Sequence, residues 1–289
     1  VVPAKVAGVE EVIVCCPVDP NEPNTTTVLA AAHLAGVDRF YRVGGVQAIA
    51  AMAFGTETIP RVDLIAGWGN IYETTAKKLL LGQVGIDAFA GPSEICLMAD
   101  HAHDPSLAAA DLLAQAEHSI MARCFLITTD PAYAESVLAQ IENQLPATPR
   151  EKIIKQALEE QGAVILVPDW NRGLEIADAL APEHLMIVTK EDEKIASKVK
   201  NAGAVFIGTN TAEALGDYVA GPNHTLPTGG TARFAQALSA RTFYRNMSVM
   251  KATRCALSTL GPSSMLLAEN EGLVAHAEAV RKRLKKLND

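Results

Sequence analysis

The stretch from Glu11 to Val43 contains EVIVCC (residues 11–16), TTTVLAAAHLAG (25–36) and RFYRV (39–43). The outer runs are short and rich in β-branched, aromatic and other apolar residues. The middle run is alanine-rich, long enough for a helix and closed by a glycine. Strand, helix, strand is the reading, and a helix inserted between two strands lets them pair in parallel. The pattern continues outward. VQAIAAMAFG (46–55) is an expected helix and VDLIAG (62–67) an expected strand, with a helix over roughly 71–82. Such alternation predicts βαβ units around a mainly parallel sheet.

GIDAFAGPSEICLMAD (85–100) changes the rhythm, with two short apolar runs flanking Gly91-Pro92. This marks a crossing between domains. A helix then opens at Asp104-Pro105, with Asp as N-cap and Pro in the first turn. RCFLITT (123–129) reads as a strand, two helices follow around 131–160, and AVILVP (163–168) is a strand followed by a helix to about 181. HLMIVT (184–189), another helix and AGAVFIG (202–208) complete the unit. Long apolar strands without alternation fit a sheet covered on both faces. GDYVAGPNHTLPTGGTAR (216–233) reads as a loop, and long polar loops are often functional. From about 247 the pattern is helical. The closing RKRLKK places cations where they complement a helix dipole.

Composition narrows the function classes. The chain has 289 residues, 49% hydrophobic content and a formal net charge of −8. That acidic balance argues against nucleic acid or an anionic membrane as partner. No apolar run reaches the ~18–20 residues of a membrane helix. The N-terminus shows no secretory signal pattern. It lacks a starting Met, and the chain reads as a piece of a longer one. The five cysteines (15, 16, 96, 124, 255) show no paired spacing, as expected of buried thiols in a reducing cytoplasm.

Of the seven histidines, His33 reads as structural or surface, and His101 and His103 as a solvated turn. Four others sit beside polar, reactive side chains. His118 lies three residues after Gln115 in DLLAQAEHS (111–119), on one helical face, which is either a metal corner or a polar edge. His184 follows Glu183 where a loop enters a strand, suited either to proton transfer or to capping. His224 and Asp217 share the Gly/Pro loop. His276 and Glu271 lie near the chain end, where a solvated helix face is the plainer reading. Taken together, two imidazoles, a carboxylate and an amide oxygen suit a borderline cation such as zinc. Two glycine turns, VGGVQAIA (43–50) and GWGNIYETTAK (67–77), are either phosphate-binding turns offering Gln47 and Asn70 to a nucleotide, or ordinary strand–helix turns.

The motifs VPAKVAGV, RVGGVQAIAAMAFGT, IDAFAGPSE, DLLAQAEH, APEHL, GDYVAGPNHTLPTGGTARF and EGLVAHAEAV occur in the order seen in the histidinol dehydrogenase family. The chain resembles that family over its whole length, with the family's N-terminal portion missing. The resemblance implies an α/β fold of two Rossmann-like parallel-sheet domains, one incomplete, plus a C-terminal helical arm. The expected divisions are 1–92 (NAD side), 93–236 (zinc and substrate side, its N-terminal part missing) and 237–289 (dimerisation arm). It implies NAD-dependent oxidation of L-histidinol to L-histidine through an aldehyde, in histidine biosynthesis, by a cytoplasmic homodimer with one Zn²⁺ per subunit. Gln115, His118, Asp217 and His276 match the zinc ligands, and Glu183 and His184 the catalytic pair. Ser93, His224 and Glu271 match substrate-contacting positions, which Gln115, His118, Glu183, His184, Asp217 and His276 share. Gln47 and Asn70 match NAD-contacting positions. His276 and Glu271 would complete the partner's site. The turn usually written G-P-G-N reads Gly67-Trp68-Gly69-Asn70 here. A second reading is a paralogous zinc/NAD alcohol dehydrogenase acting on another small polar alcohol, such as a sulfonated diol. A third is a non-catalytic assembly subunit that keeps the metal.

Overall fold

The computed structural model describes residues 1–19, 21–22, 24–89 and 91–288. Two compact units divide it, Val1–Tyr244 and Arg245–Asp289. The first opens with helix α1 (Val2–Val6), strand β1 (Ile13–Cys15), helix α2 (Asn24–Leu34) and strand β2 (Arg39–Tyr41). β1 and β2 pair in parallel, Ile13 opposite Arg39, as the strand–helix–strand reading requires. Next come α3 (Gly45–Phe54), β3 (Leu64–Ile65), α4 (Ile71–Leu80) and β4 (Gly85–Ile86), with β3 and β4 forming a second parallel pair.

The larger sheet is built from β5 (Glu94–Ala99), β6 (Arg123–Thr128), β7 (Ala163–Leu166), β8 (His184–Val188) and β9 (Ala204–Ile207). All its pairs are parallel, in the order β7-β6-β5-β8-β9. Its helices are α5 (Pro105–Ala116), α6 (Pro131–Gln144), α7 (Glu151–Gln161), α8 (Trp170–Leu180), α9 (Asp192–Ala196) and α10 (Glu213–Tyr218). Asp104 caps α5 as expected, its side chain accepting from the Ser106 N–H at 2.8 Å. The second unit contains α11 (Arg254–Asn270) and α12 (Val274–Asn288), and Lys285 and Lys286 lie in the last turn of α12.

The central strands β5 and β8 are buried along their whole length because both faces are covered. Ile95, Leu97, Ala99, Met186 and Val188 pack with Ala108, Leu112 and Ile154 of α5 and α7. On the opposite face Cys96, Met98, Leu185 and Ile187 pack with Leu174, Ala177 and Ile195 of α8 and α9. Each such Leu or Ile contributes roughly 1.5–3 kcal/mol. Edge strand β7 differs, leaving Val164 and Leu166 exposed.

Three local expectations change. Gly216, Asp217 and Tyr218 lie in α10 rather than in the Gly/Pro loop. Glu213-Ala214-Leu215 carries the helix forward, and the Phe206 ring would meet a Cβ at Gly216 at 2.7 Å, so glycine fits there. Residues 247–253 are not helical; α11 starts only after Thr253, whose hydroxyl accepts from the Ala256 N–H at 3.1 Å. His103 is not solvated but 1% exposed, packed beside Thr209 and Asp111.

Candidate active site

The site gathers where β5 and β8 begin. Residues alternate along β8, so His184, Met186 and Val188 share the face turned to α5. Gln115, in the last turn of α5, is fully buried. Its Oε1 lies 3.2 Å from His184 Nδ1. Acceptance by that oxygen requires the proton on Nδ1, leaving Nε2 free as an acceptor. Nε2 faces two carboxylates of α10, Glu213 Oε1 at 3.4 Å and Asp217 Oδ1 at 3.8 Å. Glu213 and Asp217 stand four residues apart and so share a helical face. The Phe206 ring lies 5.7 Å from the imidazole, centroid to centroid.

Glu183 is positioned by backbone. The Glu94 N–H donates to Glu183 Oε2 at 3.0 Å, and the same oxygen lies 3.8 Å from His184 Nδ1. The Glu94 side chain accepts from the Gly229 N–H, and the Thr228 hydroxyl oxygen accepts from the Gly91 N–H. The segment around Thr228-Gly229 is thereby fastened to the start of β5.

Burial dominates the electrostatics. It pushes the Glu183 carboxyl up to about 8, with nearby carboxylates adding to the effect and the Glu94 N–H opposing it. It pushes Glu213 up to about 8, reinforced by Asp217. It drives the His184 imidazole down to about 4, against the pull of Asp217. The close His184–Glu213 contact is therefore a neutral pair in the cation-free protein, not a charged salt bridge, because burial penalises both charges. A neutral imidazole beside a protonatable carboxyl is equipped to take up and release protons near neutral pH.

The cluster also suits a cation. One donor atom from each of His184, Glu213 and Asp217 lies within 4.8 Å of the others. His184 Nε2, Glu213 Oε1 and Gln115 Nε2 are buried without a hydrogen-bond partner among the described residues. A divalent ion would neutralise the carboxylates and take up the lone pairs of His184 Nε2 and Glu213 Oε1, while the Gln115 amide nitrogen, a donor, would not bind it.

The structure brings Gln115, Glu183, His184 and Asp217 into this cluster. His118 lies just past α5 and is exposed. Ser93 is half-buried one residue before β5, and its carbonyl accepts from the Arg123 N–H at 3.0 Å. His224 is exposed in the loop after α10. In the second unit Glu271 closes α11 and His276 lies in the first turn of α12, both exposed. Gln47 is exposed in the first turn of α3. Asn70 caps α4, its Oδ1 accepting from Tyr72 N–H at 2.9 Å and Glu73 N–H at 3.3 Å. The Glu73 carboxylate accepts in return from Asn70 N–H at 2.6 Å and from Gly45 N–H at 3.1 Å, so it links the two glycine turns. Glu213 is the residue that sequence reasoning missed. Its signal was the i, i+4 spacing to Asp217, hidden while Asp217 was read as part of a loop.

The class follows from fold and site: a parallel-sheet α/β protein with a buried imidazole–carboxylate centre and donor atoms spaced for a divalent cation. The chain belongs to the histidinol dehydrogenase family, whose family model matches residues 1–284. It is 48% identical over 286 residues to histidinol dehydrogenase of Sulfurimonas denitrificans, covering 99% of this chain and 66% of that protein. Against the Parasynechococcus marenigrum histidinol dehydrogenase the identity is 50% over 283 residues, covering 98% and 65%. The crystal structure of histidinol dehydrogenase from Elizabethkingia anophelis superposes with a TM-score of 0.93 at 40% identity, covering 99% of this chain and 66% of that one. The chain thus spans just under two thirds of the length of these relatives. These comparisons give no support to the paralogue acting on a sulfonated diol.

Proposed function

We propose that this chain carries the chemistry of an NAD-dependent four-electron oxidation of L-histidinol to L-histidine through histidinaldehyde, as a cytoplasmic step of histidine biosynthesis. The observation that carries the reading is the buried contact of Gln115, Glu183, His184 and Asp217 in a chain of this family. Residues 1–92 form the NAD side and 93–236 the zinc and substrate side. Residues 237–289 are the arm by which a homodimer places His276 and Glu271 in the partner's site.

Gln115, His118, Asp217 and the partner copy's His276 would hold Zn²⁺, with Glu213 close by. When bound, the ion supplies charge that orients the substrate's imidazole and amine. His184 takes the proton of the alcohol as the first hydride leaves to NAD⁺. Its neutral imidazole suits a base. Glu183, in its ionised form, then takes a proton from the water that adds to the aldehyde while His184 returns its proton to the carbonyl oxygen, and His184 takes the second alcohol proton as the second hydride leaves to a second NAD⁺. Ser93 and His224 contact the substrate, and Gln47 and Asn70 the NAD.

The test is the yield of NADH on limiting L-histidinol, using the zinc-loaded 289-residue chain and excess NAD⁺. Two NADH per histidinol are expected. One NADH would limit the chemistry to alcohol oxidation, and none would overturn the proposal for this chain.

A further inference from the structure

His103 belongs to the H-x-H pair that the sequence places in a turn, and the site described above does not use it. Its side chain is nonetheless 1% exposed. Nδ1 lies 3.1 Å from Thr209 Oγ1, and Nε2, which has no hydrogen-bond partner among the described residues, packs 3.5 Å from Asp111 Oδ2. A threonine hydroxyl can donate to or accept from Nδ1, so the Thr209 contact is made by either tautomer of the ring.

One partner lies on α5 and the other in the loop that leads into α10, the two helices that frame the site. Asp111 lies on α5 one turn before Gln115, at i, i+4 and on the same face. Thr209 lies in the loop between β9 and α10, four residues before Glu213. That loop is stitched to the sheet on its other side: the Gly208 N–H donates to Ile187 O at 3.0 Å, and Thr211 Oγ1 donates to Ile207 O at 2.7 Å. The imidazole joins the same loop to α5. Gln115, one helical turn after Asp111, meets His184 from α5, and Glu213 and Asp217 face it from α10 beyond the loop. Asp111 is near enough for its charge to be felt at the Glu213 carboxyl.

We propose that His103 is a positioning residue, a buried strut that sets the separation of α5 and α10 and so the spacing of Gln115 from Glu213 and Asp217 across His184. The consequence for metal retention rests on the zinc reading given above; the strut itself does not.

The test compares the 289-residue chain with its Thr209→Val and His103→Asn variants. Val keeps the shape of threonine and removes the hydroxyl. Asn keeps a polar group near the Nδ1 position and loses the reach to Asp111. Ile195→Val, in the core on the opposite face of the sheet, is the control for general loosening. Amide hydrogen exchange on the metal-free proteins is read first. Residues 208–218 are expected to exchange roughly three- to tenfold faster in both strut variants, the effect of one lost hydrogen bond, with α6 unchanged. Chelator competition is read second, and zinc is expected to be lost about as many times more readily. Unchanged exchange in 208–218, or acceleration spread over the chain as in Ile195→Val, overturns the strut. Faster local exchange with undiminished zinc retention overturns its role in the site. A wild-type chain that holds no zinc defeats the metal reading while the exchange result still decides the strut.

Discussion

The five-stranded sheet and the segment before it, residues 1–89, are built from the same strand–helix alternation but held by different means. In the larger sheet, β5 and β8 are sealed by apolar side chains on both faces. In the first segment the sheets have two strands each, and Leu34, Phe54, Trp68, Tyr72 and Leu79 are exposed. There a polar clasp shapes the glycine turn into α4. Lys77 Nζ lies 2.6 Å from Asp87 Oδ1 and donates to Gly67 O at 2.9 Å, while Asp87 Oδ2 accepts from Gly67 N–H at 2.8 Å. Both side chains are almost wholly buried. The larger sheet can bury unpaired polar groups for chemistry because its strands supply the stability. The first segment binds its own backbone with charges that are fully paired.

The largest expected effect lies in the sheet-built site. Glu183→Gln keeps an oxygen for the Glu94 N–H and removes the exchangeable carboxyl. Under the proposed function it lowers kcat by about 10²–10⁴-fold, with no loss of melting temperature. Steady-state kinetics beside thermal melts measure the two together. A kcat within twofold of wild type would remove Glu183 from the chemistry.

The clasp should behave in the opposite sense. Lys77→Met leaves Asp87 buried and unpaired, at a cost of about 3–5 kcal/mol. The double change Lys77→Met with Asp87→Leu should recover part of that. Urea unfolding of the three proteins decides it. A single variant within about 0.5 kcal/mol of wild type, the range of ordinary surface changes, would mean that the clasp does not hold the turn.

The two regions were unequally legible in the sequence. The strands of the larger sheet stood out because burial on both faces demands unbroken apolar runs such as HLMIV. The Asp104 cap could be read because its side chain bonds locally. What could not be read depends on partners distant in the chain. His103 looked solvated because Thr209 lies more than a hundred residues away, and Glu213 was missed because α10 begins within what composition marks as a loop. In the first segment, nothing local in GWGN shows that Lys77 and Asp87 hold both sides of Gly67. The candidate residues were named by resemblance. The contacts among Gln115, Glu183, His184 and Asp217 required the fold.

Acidity separates the regions next. In the cation-free protein Glu183 is raised from its ordinary 4.5 to about 8. Its contribution to stability is therefore complete below about 4.5 and is lost as pH rises through about 8. His184 is lowered from 6.5 to about 4, so its contribution is present above about 6.5 and is lost as pH falls through about 4. Melts in chelator should show Glu183→Gln losing less stability than wild type between pH 5 and 8. Parallel curves would contradict the buried, protonated carboxyl.

The smallest effect tests whether Asn70 does more than cap a helix. Its Oδ1 already accepts from Tyr72 and Glu73, and the Glu73 carboxylate returns the bond to the Asn70 N–H. Asp caps a helix about as well as Asn, whereas Ala loses about 1 kcal/mol. Asn70→Asp should therefore keep the melting temperature while adding a negative charge at the turn assigned to NAD. A nucleotide pyrophosphate would be repelled, so KM for NAD⁺ should rise several-fold with kcat little changed. The matching Asp104→Asn change on α5 should leave both constants alone, since that cap belongs to the sheet region and lies at the end of α5 remote from Gln115. If Asn70→Asp changes neither stability nor KM, Asn70 is only a cap, and the cofactor contact on this side must come from elsewhere, with the Glu73-linked turn left as a structural joint.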